Sequence, residues 1–400
     1  MLQNKTGLMP FCSSFFYDME KTVESYLPKL IETRCNCCSN KCKLNVLVYP
    51  DGRRFISGNH CSKPIGKKAA ETYEYDIYEY KRALLMRYMD GKKGKGKRGT
   101  LGLPMSLSMY EYLPFFHTLF SSLGFDVTVS PFTTSEMLEE LEWTSASSSA
   151  CISSRLLKAH VEYLKRLELD YVFIPAVSSV SKQDRVYQCC PISAYTGDVL
   201  QEVEGKVQVI SALMPFDKDD SIVRRIASIF DISKKEVIKA YEKAVEAEKK
   251  YRKKLNKIGA SIAKKARKDG RKMVIISSRS YYLDPVIFHD IDKMLLALGY
   301  SVLSDDSISK IIPTTLDNSA SQWFAHSRMH DAARVAASSK DMSLLLLKTP
   351  ACTLDPAIAV DTRAVLKKRS DCLLEIEVDE KTTVQDVFAK LLTIGKTSEK

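Results

Sequence analysis

The sequence predicts an α/β protein with two domains, each built on a doubly wound, mostly parallel sheet. Short apolar segments of strand type alternate with helical segments, and this alternation occurs twice, on either side of a long charged helical segment. The length of 400 residues also exceeds what one hydrophobic core usually supports. We therefore expect a small N-terminal cysteine-rich metal module, two α/β domains and a helical connector.

Changes in composition set the predicted domain boundaries. The alternating Gly and Lys/Arg residues of GKKGKGKRG indicate a flexible linker, and the interleaved charges around EKAVEAEKKYRKK indicate a solvated helix. The predicted segments are 1–90 for the cysteine-rich module and a trailing helix, 91–99 for the linker, 100–215 for the first α/β domain, 216–270 for the helical connector and 271–400 for the second α/β domain.

Four cysteines of the first segment follow the pattern Cys35-x2-Cys38-x3-Cys42, with Cys61 after a hairpin signal, PDG. A C-x-x-C turn folds back tightly enough to place two sulfurs on one metal, and Cys61 can close the shell. Four thiolates suit either a tetrahedral zinc ion or an Fe–S cluster, and the spacing does not choose between them. We predict that these four cysteines bind zinc or an Fe–S cluster. Free thiols that lie close together by chance are the alternative.

In the first α/β domain, TLGLPM, FDVTVS, DYVFIPAV and KVQVISALM are predicted strands. The helices between them include YEYLPFFHTLFSSLG, which Gly124 ends, and SSRLLKAHVEYLKRL, whose leucines and valine recur near every 3.6 residues. In the second domain, KMVIISS, YSVLS, MSLLLLK and CLLEIEV are predicted strands. The predicted helices there are PVIFHDIDKMLLALG, SQWFAHSRMHDAARVAASS, PAIAVDTRAVLKKR and TTVQDVFAKLL. Neither domain has a GxGxxG or GxxxxGK[ST] fingerprint, so the sequence does not predict ATP or NAD binding by this chain alone.

The net charge of +11 raises the question of a nucleic-acid partner. Much of this charge lies in the linker and the connector. The linker has no aromatic residue of the kind that nucleic-acid platforms use, and in the connector acidic residues interleave with the basic ones, as on a solvated helix face. We expect a solvated surface, and a basic nucleic-acid binder is the alternative. No apolar run reaches the length of a membrane helix, and the first residues do not resemble a signal peptide. A cytoplasmic, reducing setting is therefore the expectation, with clustered cysteines as metal ligands rather than disulfides.

Three further cysteines, Cys151, Cys190 and Cys352, draw attention through their positions. Cys151 precedes a predicted helix, where free backbone N–H groups and the helix dipole favour a thiolate. Cys190 and Cys352 follow predicted strands, at the edge where open α/β sheets bind ligands. Three converging cysteines can hold a [4Fe–4S] cluster and leave one iron open as a Lewis acid. The alternative is that each cysteine is a small buried hydrophobic residue.

Several segments resemble, in order, the acyl-CoA dehydratase activase-related proteins, which are relatives of the 2-hydroxyacyl-CoA dehydratase subunits. The likeness runs through RCNCCSNKCKLNV, LGLPMSLSMYEYLPFFHTLFSSLGFDVTVS, SACISSRLLKAHVEYL, RSYYLDPVIFHDIDKMLLALGYSVLSDDSI, WFAHSRMHDAARVAA and ACTLDPAIAVDTRAVL. The resemblance implies Rossmann-like domains around a [4Fe–4S] cluster held by Cys151, Cys190 and Cys352. It also implies an ATP-dependent activator, with its own Fe–S cluster, that delivers a low-potential electron.

Two functions follow as hypotheses. The first is an iron–sulfur protein of the 2-hydroxyacyl-CoA dehydratase type, which accepts that electron and acts on an acyl-CoA as a dehydratase or reductase component. The second is a zinc-stabilised, non-catalytic binding or scaffold protein that kept the fold and lost the cluster. Ala351 and Thr353 motivate the second hypothesis, because the family usually has glycine on both sides of this cysteine. The sequence does not indicate a catalytic acid or base. It leaves the oligomeric state open, and both a homo-oligomer and a hetero-oligomer are compatible with it.

Overall fold

The computed structural model describes residues 29–36, 43–48, 54–57, 74–89, 96–139, 151–182, 185–201, 206–216, 220–311 and 321–394. The chain divides into two compact units, residues 1–71 and residues 72–400. The first unit contains an antiparallel sheet in the order β1-β2-β3. Its strands are β1 (Lys29–Arg34), β2 (Lys43–Val48) and β3 (Arg54–Ser57). The last two strands form the hairpin that PDG predicts.

The second unit contains two parallel four-stranded sheets and one two-stranded antiparallel ribbon. The strands of the first sheet are β4 (Thr100–Leu103), β5 (Asp126–Val129), β6 (Tyr171–Ala176) and β9 (Gln208–Leu213). The ribbon consists of β7 (Ser179–Lys182) and β8 (Arg185–Gln188). The strands of the second sheet are β10 (Met273–Ser277), β11 (Ser301–Ser304), β12 (Met342–Lys348) and β13 (Leu373–Glu377).

Helices connect these strands and cover the sheets. They are α1 (Ile77–Met89), α2 (Met109–Ser122), α3 (Ser135–Glu139), α4 (Ile152–Lys165), α5 (Pro191–Val199), α6 (Ser221–Ile229), α7 (Lys234–Lys268), α8 (Pro285–Phe288), α9 (Ile291–Ala297), α10 (Phe324–Ser338), α11 (Asp355–Val365) and α12 (Val384–Leu391). No helix among the described residues is long and apolar enough to cross a membrane.

Both parallel sheets have the same strand order. Numbered by their appearance in each sheet, the strands lie in the order 2-1-3-4: β5-β4-β6-β9 and β11-β10-β12-β13. The chain direction across the sheet reverses between the first and third strands. Open α/β sheets bind their ligands outside the carboxyl ends of the strands at this point. The prediction of a mixed α/β fold with two parallel sheets is confirmed, and the topology fits Rossmann-like domains.

The long helix α7 packs on both halves of the second unit. It contacts α2 of the first sheet's half and β11 of the second sheet. Gly259 permits the close approach, because a Cβ atom built there would lie 2.3 Å from the carbonyl oxygen of Ser307. The predicted connector therefore corresponds to α6 and α7, and α7 packs against elements of both sheets' halves. Helix α1 belongs to this second unit as well, and the domain boundaries themselves stay predictions.

One local prediction is wrong, and two elements were not predicted. The single helix expected in PVIFHDIDKMLLALG is broken into α8 and α9, because His289 and Asp290 adopt positive φ angles of 47° and 55°. The ribbon β7–β8 and helix α5 were not expected from the pattern. The ribbon contacts the chain before α10, where the Gln188 amide donates to the Gln322 carbonyl at 2.8 Å.

Candidate functional site

Two of the predicted site cysteines stand at the beginnings of helices. Cys151 is the N-cap residue of α4, and Cys190 is the N-cap residue of α5, with Pro191 in the first turn. The first helical turn presents backbone N–H groups that lack partners within the helix, together with the positive end of the dipole. Both residues therefore stand at the positive end of a helix dipole.

Cys352 lies in the loop between β12 and α11, beside a buried arginine. The Nη2 atom of Arg279 lies 3.3 Å from the Sγ atom of Cys352 and 3.1 Å from Oδ1 of Asp355. Arg279 is 3% exposed and Asp355 is 2% exposed. Arg279 follows β10 and Cys352 follows β12, so the pair spans the point at which the strand order of the second sheet reverses.

Asp355 holds the arginine in place, and two further contacts fix Asp355 itself. Its second oxygen, Oδ2, accepts hydrogen bonds from the Tyr282 hydroxyl at 2.9 Å and from the Thr349 amide at 3.0 Å. The Tyr282 hydroxyl also lies 3.1 Å from the Thr349 hydroxyl. Since Oδ1 accepts from Arg279, both oxygens of the Asp355 carboxylate have hydrogen-bond partners. The buried Nε atom of Arg279 has no hydrogen-bond partner among the described residues.

The other two cysteines, Cys151 and Cys190, lie near Arg279 or near its neighbour Tyr281. Cys151 interacts electrostatically with both Cys190 and Arg279, and the buried Tyr281 interacts with Cys151, Cys190 and Arg279. Arg279 therefore interacts with Cys352 and Cys151, while Cys190 interacts with Cys151 and lines the same cavity as Arg279. Among the described residues, no three His, Cys, Asp or Glu side chains are arranged to hold a single metal ion. The assignment of these cysteines to a cluster stays a prediction.

The thiol pKa values follow from this environment. Burial raises the pKa of Cys151, and the Ser154 hydrogen bonds and Arg279 oppose the rise. Burial also raises the pKa of Cys352, and Arg279 again lowers it. The neighbouring Cys189 has a pKa of about 12, raised by burial and by the carboxylate of Glu111. Without a metal, these three groups are protonated thiols at neutral pH.

A small cavity of about 50 Å³ opens beside these residues. Its walls come from both halves of the second unit, including the loop after β10 and the beginning of α10. The lining residues used below are Glu111, Cys189, Cys190, Arg279, Tyr281 and Arg328.

A buried charge network forms one wall of the cavity. The Glu111 carboxylate accepts from Arg328 at 3.1 Å and from Arg252 at 3.2 Å. Burial acts to raise the pKa of Glu111, but the two guanidinium groups outweigh it and hold the pKa below its usual value. Arg328 also contacts Asp305 at 3.0 Å. Burial raises the pKa of Glu248, the other partner of Arg252, to about 7.

A second buried network connects α4 to the second sheet's half. His160 Nδ1 lies 2.8 Å from the Ser130 hydroxyl, and Nε2 lies 3.0 Å from the Thr133 hydroxyl. The Thr133 hydroxyl and the Tyr110 hydroxyl both donate to Oδ2 of Asp284. Burial raises the pKa of Asp284 to about 6 and lowers that of His160 to about 3. These hydrogen bonds fix the helix that begins at Cys151.

The donor set fits an anionic iron–sulfur cluster. A [4Fe–4S] cluster with three thiolates carries net negative charge, and here two helix N-termini and a buried guanidinium face the thiols. The unpartnered Nε atom of Arg279 leaves a donor for a further acceptor. Since a four-iron cube is larger than one ion, its thiolates lie further apart than the ligands of a single metal.

The sequence did not single out Arg279, Tyr281 or Asp355. Arg279 directly follows the buried strand end at the carboxyl edge, and that position was the signal available. Of the predicted N-terminal metal ligands, only Cys35 lies among the described residues, where it is buried. The cysteines of that set outside the described residues are Cys38, Cys42 and Cys61.

Solved structures align with the chain at very low similarity. One is described as a phosphosugar isomerase from Clostridium difficile 630, with 11% identity, 84% of this chain and 94% of that chain covered, and a TM-score of 0.20. Another is the C-terminal domain of glucosamine-fructose-6-phosphate aminotransferase from Francisella tularensis, with 9% identity, 82% and 92% covered, and a TM-score of 0.19. These TM-scores support no argument about function.

No curated protein matches the chain. A family model does match, over residues 100–308, which is just over half of the chain. The match begins at β4 and ends after β11, so it includes Cys151, Cys190, Arg279 and Tyr281. The chain belongs to the family described as the CoA enzyme activase uncharacterised domain (DUF2229).

Proposed function

We propose that this protein is an iron–sulfur component of an acyl-CoA dehydratase system, in which Cys151, Cys190 and Cys352 hold a [4Fe–4S] cluster. The observation that supports the proposal is that Arg279 interacts with Cys352 and Cys151, and that Cys151 in turn interacts with Cys190. Membership in a family named for CoA enzyme activation supports the dehydratase system. The partner is then an ATP-dependent activator that supplies the electron.

Each residue of the site has a role in this proposal. When bound, the cluster would supply one-electron chemistry and, with three cysteine ligands, one open coordination position. Arg279 compensates the negative charge of the thiolates. Asp355 binds the guanidinium of Arg279 and keeps it directed at Cys352. Tyr281 is buried and interacts with both Cys151 and Cys190, so its ring would limit the access of water to the cluster. Limited access of water and a nearby cation are two of the factors by which a protein tunes the reduction potential of an Fe–S cluster.

The test is anaerobic reconstitution with iron and sulfide, followed by iron and sulfide analysis and electron paramagnetic resonance of the reduced protein. The variants are Cys151→Ser, Cys190→Ser and Cys352→Ser. Each should lose most of the cluster that the wild type binds. The matched control is Cys372→Ser, because this buried cysteine precedes β13 and therefore lies at the amino end of a strand, at the opposite edge of the sheet. Unchanged iron content in all three variants would refute the cluster assignment.

The second candidate is a zinc-stabilised, non-catalytic binding protein. Burial, which raises the pKa values of Cys151 and Cys352, favours this reading because it keeps both thiols protonated when no metal is bound. Protein purified without oxygen would then contain zinc, bound by Cys35, Cys38, Cys42 and Cys61, and no iron. A Cys35→Ser variant that loses the zinc but keeps the fold of the second unit would support this candidate.

A further inference from the structure

The long helix α7 borders a groove whose positive charges have no assigned role. The groove has a volume of about 820 Å³ and runs between α7, α1 and α2. This volume lies within the range of small-molecule sites. Five cations line it: Arg87, Lys239, Lys243, Lys250 and Lys254. Two acidic residues, Glu242 and Glu246, also line it.

The lysines form one stripe along the helix. Lys239 and Lys243 are four residues apart, as are Lys250 and Lys254, so each pair lies on the same face of the helix. The stripe extends for about 22 Å at the usual helical rise. Like charges at this spacing repel one another and destabilise a helix, and a bound anion would relieve the repulsion.

Four of these cations have no ion pair with any residue that the structure describes. They are Arg87, Lys239, Lys243 and Lys254. The fifth, Lys250, lies 3.5 Å from Glu246, in a pair whose side chains are 74% and 58% exposed. Such an exposed pair contributes little. The described lining of the groove thus keeps an excess of positive charge, since its five cations face two carboxylates.

The other large cavity along α7 differs in this respect. Its volume is about 500 Å³, and its described lining balances four cations, Lys182, Lys249, Arg252 and Arg328, with four carboxylates, Glu248, Asp305, Asp306 and Asp331. Three of the cations are paired, Lys182 with Asp331, Arg252 with Glu111 and Arg328 with Asp305. Because the cations of this second cavity are balanced by carboxylates, the groove between α1, α2 and α7 is the better candidate for an anion site.

Aromatic and aliphatic side chains form the rest of the groove. Tyr88 is half-buried and makes an edge contact with His117, with ring centroids 5.4 Å apart. Leu84, Ala247 and the ring of Tyr251 add apolar surface. A ring surface next to a row of lysines is complementary to a molecule that carries both an aromatic base and phosphates.

We propose that the groove between α1, α2 and α7 binds a nucleotide-class anion, an aromatic base linked to two or more phosphates. Two sources have this chemistry, a free nucleoside polyphosphate and the nucleotide part of coenzyme A. The site lies on a helix face and not at a glycine-rich strand-to-helix turn. A fingerprint of the GxGxxG type would therefore not mark it. The proposal is independent of the cysteine site.

The test is calorimetric titration of the full chain with three probes: inorganic pyrophosphate, ATP and coenzyme A. Both nucleotides should bind more tightly than pyrophosphate, and binding should weaken as salt is raised. Tighter binding of ATP would identify a free nucleotide as the source, and tighter binding of coenzyme A would identify the cofactor.

Charge reversal locates the site. Lys243→Glu and Arg87→Glu change exposed cations on two walls of the groove and should each weaken nucleotide binding by about tenfold. The control is Lys264→Glu, an exposed residue of the same helix outside the lining. It lies about 15 Å beyond Lys254 along the helix, and the change should alter binding by less than about twofold because a charge at that distance is screened. The proposal is overturned if no probe binds, if pyrophosphate binds as tightly as the nucleotides, or if the control weakens binding as much as Lys243→Glu.

Discussion

The guanidinium of Arg279 lies 3.3 Å from the sulfur of Cys352. Both residues follow parallel strands of one sheet, β10 and β12, which are hydrogen-bonded neighbours. The arginine also interacts electrostatically with Cys151, which belongs to the other sheet's half. One buried cation therefore links the two halves of the candidate site, and its own partner, Asp355, determines whether it can stay there.

Removing either partner of the Arg279–Asp355 pair should destabilise the protein strongly. Asp355→Asn or Arg279→Met leaves one buried charge without compensation, and each should lower the free energy of unfolding by about 3–5 kcal/mol. The double variant should lose less than the sum, because no charge is then left unpaired. Urea unfolding of the four proteins measures this coupling.

The matched control is the pair of Arg363 and Glu375, whose Nε and Oε1 atoms lie 2.6 Å apart and whose side chains are 58% and 16% exposed. Arg363 is exposed, so Arg363→Met should cost less than about 1 kcal/mol. Equal costs for Arg279→Met and Arg363→Met would contradict the importance assigned to burial.

Cys189 should be chemically inert although it is next to Cys190. Its pKa of about 12 leaves almost no thiolate at pH 8, and the thiolate is the reactive form. Alkylation of the metal-free protein, followed at the peptide level by mass spectrometry, should be on the order of 100-fold slower at Cys189 than for a free cysteine. Glu111→Gln should speed the reaction, because the carboxylate helps to raise this pKa. Alkylation of wild-type Cys189 at the rate of a free thiol would show that burial does not protect it.

The repeated alternation of strands and helices was predictable because each parallel strand is a continuous apolar segment. MVIIS and MSLLLLK are buried over nearly their whole length, and turn residues bound them. The break at His289 was not predictable from the same pattern. Apolar periodicity continues through PVIFHDIDKMLLALG, while the backbone there turns through two left-handed residues.

The site was predictable only in part. Cysteines at strand ends and helix starts could be chosen from position, since parallel strands share one carboxyl edge. The pairing of Arg279 with Asp355 joins residues 76 positions apart. Nothing in the local sequence of either residue specifies the other, because the contact depends on how β10 and β12 align in the sheet.

Gly259 should be intolerant of a side chain. An added Cβ atom would lie 2.3 Å from the Ser307 carbonyl oxygen, so Gly259→Ala must push α7 away from the loop after β11. Although alanine favours a helix by about 1 kcal/mol, overpacking costs typically 1–3 kcal/mol, and we expect a net loss of stability. Thermal unfolding measures it. Ser261→Ala, an exposed position of the same helix, is the control and should not destabilise. A stabilised Gly259→Ala variant would mean that the helix and loop do not pack this closely.

His160 should make the protein sensitive to acid. Burial lowers its pKa to about 3 in the folded state, against about 6.5 when unfolded. The unfolded state therefore binds more protons between these values, so this contribution is complete above pH 6.5 and declines as the pH falls. The loss is at most about 1.4 kcal/mol for each pH unit in that window. His160→Gln keeps hydrogen-bonding groups near Ser130 and Thr133 but does not titrate. The test is urea unfolding at about pH 7.5, 6 and 5, which lie on both sides of the unfolded pKa. As the pH falls, the wild type should lose stability relative to the variant. A difference between the two proteins that is constant with pH would contradict the neutral, buried state of His160.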